Sequence, residues 1–194
     1  MKETILFILF IITTSMFFGC NSNKTRLTED QILINPYKTG QELIFISNNG
    51  DENRVTITNV KRGVFADGIG APNNERLVVE AFHDSKSIQG GKIARIFSLH
   101  AKTDKKESGL IFSFSMKDAY QRINFEKVTD YNSRPIIQFN NGYEIFDDAI
   151  HYSEFTIYGN DGNQIVEFYW SQSHGYIRLI RGDGVVWNLK SIKN

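Results

Sequence analysis

Four times in this chain an Asn-Gly or Asp-Gly pair falls between two short runs of β-forming residues. ELIFIS (42–47) and RVTITNV (54–60) flank Asn49-Gly50, and PIIQF (135–139) and YEIF (143–146) flank Asn141-Gly142. SEFTIY (153–158) and QIVEFYW (164–170) flank Asp161-Gly162, and YIRLIR (176–181) and VVWNL (185–189) flank Asp183-Gly184. A tight hairpin turn needs positive φ at its centre, which Gly, Asn and Asp adopt at least steric cost. The pattern therefore commits most of the chain to antiparallel hairpins. The second of them has strands so short that a turn alone would also satisfy it.

Three more strands are expected between the first and second hairpins. RLVVEAF (76–82), KIARIFSLHA (92–101) and GLIFSFSMK (109–117) are separated by the polar stretches HDSKSIQGG and KTDKKES. In the third, Leu110, Phe112, Phe114 and Met116 alternate with Ile111, Ser113 and Ser115, as in a strand with one buried and one wet face. No run of ten residues carries a helical stripe; DAYQRINFEKV (118–128) comes nearest. The expected fold is all-β and mainly antiparallel, about ten strands in a curved meander sheet, a half-barrel or a sandwich. Consecutive hairpins pair with their neighbours, which favours a strongly curved sheet or partial barrel.

The N-terminus is of another kind. Lys2 is followed by an almost continuous apolar run from Ile5 to Phe18, then Gly19 and Cys20. The run is shorter than the roughly 20 residues of a membrane-crossing helix and reads as an export signal. Gly19-Cys20 at its end resembles the cleavage site of bacterial lipoprotein signals, with Phe17 where such signals usually have Leu. The resemblance implies a signal peptide over residues 1–19 and a lipidated Cys20. Residues 20–38 are then expected as the lipidated cysteine and tether, and 39–194 as a single β domain. Cys20 is the only cysteine. Once it is a thioether, the folded part has no thiol for a disulfide, a zinc site or a nucleophile. The first acids after it are Glu29 and Asp30, so the acidic cluster of surface-exported lipoproteins is missing. That favours an envelope protein on the outer membrane facing the periplasm. Lys+Arg and Asp+Glu are 22 each, a net charge of zero, which gives no basic stripe for nucleic acid and no polybasic patch for anionic lipid.

Familiar catalytic patterns are absent from the spacing. His83, His100, His151 and His174 show no helical zinc spacing. SQSHG (171–175) reads as a turn, since adjacent Ser173 and His174 in a strand would face opposite ways. DGIGAPNN (67–74) lacks the third glycine of a dinucleotide loop, and NNGDEN (48–53) and GNDGN (159–163) lack the carboxylates of a calcium loop. EIFDD (144–148) reads as solvated strand ends. No cofactor or metal is expected. Phe168 and Trp170 share a face by alternation, and Trp187 shares another with Val185 and Leu189. They are expected in the core; the sharper alternative makes them the lining of an apolar ligand cavity.

The segments FNNGYEIFDDAI and VEFYWSQSHGYIRLIRGDGVVWNL resemble small uncharacterised lipoproteins of Bacteroidota. The residues that carry the likeness are Asn141, Gly142, Asp148, Ala149, Tyr169, Trp170, Ser171, Gly175, Ile177, Arg178, Asp183, Gly184, Trp187 and Leu189. It implies an envelope lipoprotein without established catalytic residues. The function expected is a membrane-anchored, non-enzymatic binding or interaction module, with an envelope protein or a hydrophobic small molecule as partner. The alternatives are a lipid or lipoprotein carrier with an apolar cavity, and a hydrolase with dispersed catalytic residues.

Overall fold

The computed structural model describes residues 25–66, 73–83, 93–102, 108–116, 119–125, 127–153 and 164–194. Its strands are β1 (Glu42–Ser47), β2 (Glu52–Ala66), β3 (Asn73–His83), β4 (Ile93–His100), β5 (Gly109–Met116) and β6 (Ala119–Phe125), then β7 (Ile136–Asn140), β8 (Ile145–Tyr152), β9 (Ile165–Ser171), β10 (Gly175–Arg181) and β11 (Val186–Lys193). Two short helices join them, α1 (Glu29–Ile32) and α2 (Val128–Asn132). All eleven strands form one antiparallel sheet in the order β6-β5-β4-β3-β2-β1-β11-β10-β9-β8-β7. Every neighbour is consecutive in the chain except the central pair, where the first strand meets the last.

The hairpin turns sit where the dipeptides place them. Gly50, Gly142 and Gly184 have φ of 84°, 94° and 85°. The Asp161-Gly162 turn, residues 154–158 of the strand expected before it, and Cys20 lie outside the described residues. DAYQRINFEKV is not helical over most of its length: Ala119–Phe125 pairs with β5 from Met116↔Ala119 to Leu110↔Phe125. A full ladder of cross-strand hydrogen bonds there outweighs a weak helical stripe. β2 also runs past the expected strand to Ala66, because residues 61–66 keep pairing with β3.

The sheet is bent by irregular pairings. Register shifts occur between Ile44 and Phe45, Ile57 and Asn59, Val79 and Glu80, Ile137 and Phe139, and Tyr176 and Arg178. Each extra residue increases local twist and coils the strand. The consequence shows in the core. Phe112 of β5 lies 4.7 Å from the Trp170 ring and 5.5 Å from Phe168, both on β9, although six strands separate β5 from β9 in the sheet. The two wings of the sheet have thus curled until their inner faces meet. Between them lie Phe97, Phe112, Tyr152, Phe168 and Trp170, all at most 1% exposed.

The segment expected as the rest of the tether, residues 25–38, belongs to the domain instead. Leu27, Ile34 and Tyr37 are buried in the core. Thr25 forms a parallel bridge to Asn74, and the Leu27 amide donates to Glu75 Oε2 at 2.8 Å. Glu75 is itself buried and holds Arg62 Nε at 2.9 Å. Apolar residues three to ten positions apart leave no periodic signal in sequence.

Candidate functional site

Ser171 ends β9, and residues 172–174 turn the chain into β10. Register sets Ala149 of β8 opposite Ser171. The preceding residue, Asp148, is therefore beside the turn. Its Oδ1 accepts from the Ser171 hydroxyl at 2.6 Å and its Oδ2 from the Ser173 amide at 2.7 Å. Ser171 Oγ in turn accepts from the His174 amide at 3.1 Å. The Ser173 hydroxyl lies 2.7 Å from His174 Nδ1. Asp148 is therefore no solvated strand end, and Ser173 and His174 do meet, because a turn rather than a strand carries them. The sequence signal for this cluster is the β8–β9 register, which a linear search does not contain.

The connectivity of the cluster differs from that of a catalytic triad. In a catalytic triad the acid orients the base, and the base takes the proton of the nucleophile. Here the acid is bound to the Ser171 hydroxyl and to a turn amide. The His174 ring stands edge-on to Phe146, with centroids 5.2 Å apart. The arrangement is a clasp that closes a turn and satisfies its amides. Burial raises the Asp148 pKa, but the hydrogen bonds from Ser171 and Ser173 and the charge of His174 outweigh it and hold the carboxyl below its ordinary value. Ser171→Ala is expected to cost about 1–3 kcal/mol of folding free energy, since it leaves Asp148 short of a donor; urea unfolding measures it.

Glu75 behaves alike. Burial raises its pKa, and the Leu27 amide with Arg62 and Arg26 more than compensates. For both carboxyls the unfolded chain binds protons more tightly than the fold. Their stabilisation is complete above the unfolded values, near 3.8 for Asp148 and 4.5 for Glu75, and is lost as pH falls through the lowered folded values. The urea midpoint should therefore drop between about pH 5 and pH 2, and Glu75→Gln should flatten that drop.

Phe168, Trp170 and Trp187, the three candidates for an apolar lining, are at most 1% exposed. The faces of the first two are taken up by other rings. Trp170 stacks on Phe97 at 5.5 Å and 12°, with Phe112 and Tyr176 edge-on, and Phe168 stacks on Tyr152 at 4.4 Å and 8°. Trp187 sits on β11 between Ser47 of β1 and Leu179 of β10. A cavity of about 360 Å³ lies elsewhere, between α1 and α2. Most of the residues around it are polar types, among them Gln31, Lys102, Ser108, Lys127 and Asn132.

The four histidines stand apart. His83 ends β3, His100 lies 3.3 Å from Ser98 Oγ on β4, His151 on β8 lies 2.9 Å from Glu167, and His174 is in the clasp. Among the described residues no three His, Cys, Asp or Glu side chains gather as a metal site.

One surface stands out by exposure. The β7–β8 hairpin carries Ile136 at 56%, Tyr143 at 49% and Ile145 at 58% exposure. β7 is also an end strand of the sheet. The hairpin is held firmly from below. The buried Asn141 side chain accepts from the Tyr143 and Glu144 amides and donates to the carbonyls of Ile177 and Leu189, at 3.3 and 2.7 Å. Phe139 stacks on Tyr169 at 3.9 Å under the Arg178 guanidinium. A rigid edge with exposed aliphatic side chains is a template for pairing with another chain.

No protein-family model matches the chain, and neither a curated protein nor a solved structure matches it. Among the described residues no helix is long and apolar enough to cross a membrane.

Proposed function

We propose that the protein is a lipid-anchored, non-catalytic interaction module of a bacterial cell envelope. It is held to the membrane through Cys20 and offers the β7 edge to an extended segment of a partner polypeptide. The observation that carries this reading is the concentration of exposed Ile136, Tyr143 and Ile145 on one rigid hairpin at the end of the sheet. An extended segment paired to β7 would take main-chain hydrogen bonds from the edge and cover the isoleucines. The ring-filled interior supports this reading over a carrier with an apolar cavity. The clasp geometry at Asp148 supports it over a hydrolase.

Two measurements test it. Cys20→Ala should abolish the lipid mass and release the protein from the membrane fraction; a mature-size protein that stays bound removes the anchor. A photo-crosslinking residue at Ile136 should give a discrete adduct in the envelope that is lost when Ile145→Asp is added. The same crosslinker at Lys190, exposed on β11, should give none. Equal adducts at both positions would remove the edge as the binding site.

A further inference from the structure

The place where the chain enters the domain fixes which end of the molecule meets the lipid. The first described residue, Thr25, is bridged to Asn74 of β3, and Thr25 Oγ1 donates to Asn74 Oδ1 at 3.0 Å. Asn74 pairs with Phe65 of β2. Thr25 and Phe65 are thus two strand spacings apart, about 10 Å. Five residues lead from Cys20 to Thr25, and fully extended they reach at most about 17 Å.

That end of the molecule is built differently from the rest. β3 pairs with β4 only as far as Arg76, and β1 pairs with β2 only over 52–56. The last residues of β2 therefore run in a narrow ribbon with β3. On this ribbon Val64 is 39% and Phe65 37% exposed, although consecutive strand residues face opposite ways. Both faces of the ribbon present apolar surface. Arg62 and Arg26 stand just behind, their guanidiniums partly exposed but both paired with Glu75, and Arg62 also with Glu29 at 3.8 Å. Polar groups behind apolar side chains suit the boundary between headgroups and acyl chains, and the paired charges leave no need for anionic lipid.

We infer that Val64 and Phe65, at the end of the β2–β3 ribbon, enter the membrane interface and orient the domain on the bilayer. This inference rests on the lipid anchor at Cys20. The occupant of this surface is the lipid itself, because the tether leaves it within reach and the exit point lies beside it. The opposite end of β2, at Glu52, then points away from the membrane, about 40 Å along the strand.

The test uses the lipidated chain in phosphatidylcholine vesicles, with a nitroxide on Phe65→Cys or Val64→Cys and, as control, on Glu52→Cys. Cys20 is the only native cysteine, so an anchored wild-type chain takes up no label and each variant takes up one. The label at positions 64 and 65 is expected to lose about threefold in accessibility to a water-soluble nickel chelate relative to position 52, and to gain accessibility to oxygen. Equal accessibility at all three positions, in a chain whose wild type takes no label, overturns the docking while the anchor stands. A wild-type chain that takes one label has a free Cys20, and the anchor and the docking fall together.

Discussion

Gly175→Ala is expected to lower the folding free energy by about 3–5 kcal/mol, enough to unfold a large share of the molecules. Gly175 opens β10 with φ of 82°. An L-residue pays roughly 1–2 kcal/mol for that conformation alone. A Cβ there would also fall well inside contact distance of the Tyr37 phenol, with its Cε1 only 2.6 Å away. Tyr37 has no room to move. Its hydroxyl accepts from the Tyr176 amide at 3.0 Å, and its ring lies edge-on to Trp170 at 5.7 Å. Two sources of cost predict a particular double-mutant pattern. Tyr37→Ala in the same chain should return the clash component but not the backbone component. Urea unfolding of the unlipidated domain reads all four states. Strict additivity would show that the phenol is not what excludes a side chain at 175.

Trp170→Ala is expected to cost about 3–5 kcal/mol, because it empties the place where the two wings of the sheet touch. Trp170 is in ring contact with Phe97, Phe112, Tyr37 and Tyr176, which come from β4, β5, the N-terminal segment and β10. A residue lining a ligand cavity would behave differently. Its truncation would leave the empty protein nearly as stable and reduce only the stabilisation a ligand confers. Thermal unfolding of the purified domain before and after delipidating extraction separates these. A drop in midpoint that is the same in both samples assigns Trp170 to the core.

What the sequence makes legible here is local. Asn49-Gly50, Asn141-Gly142 and Asp183-Gly184 declare their hairpins because the turn requirement is written in two adjacent residues. The alternation of Leu110, Ile111 and Phe112 declares a buried face for the same reason, although Ser113, expected on the wet face, is buried as well. Features that depend on distant register are hidden. Nothing in EIFDD marks Asp148 as the acid that will meet Ser171, since that meeting follows from the β8–β9 pairing alone. Nothing around Tyr37 marks it as the lid over Gly175. A turn residue with positive φ was legible at Gly175 as a glycine after SQSH, but its steric reason lies far away along the chain. The exposed Ile136 and Ile145 could not be told from core residues, because the residue type is identical and only their places distinguish them: Ile136 on the edge strand β7, and Ile145 at the start of β8 beyond its pairing with β9.

The pairing of β1 with β11 has a consequence for how the protein comes into being. Glu42 lies opposite Lys193, so the seam at the middle of the sheet joins the first strand to β11, far along the chain. Two hairpin arrays, β1–β6 and β7–β10, can form from neighbours in the chain, but their backbones are joined into one sheet only when β11 pairs with both β10 and β1. Pairing over so long a separation is slow. A polypeptide delivered amino end first must therefore wait, half assembled and with β1 exposed, until its final strand arrives. Loss of the eight residues of β11 would leave two incomplete sheets and a substrate for proteolysis rather than a shortened protein.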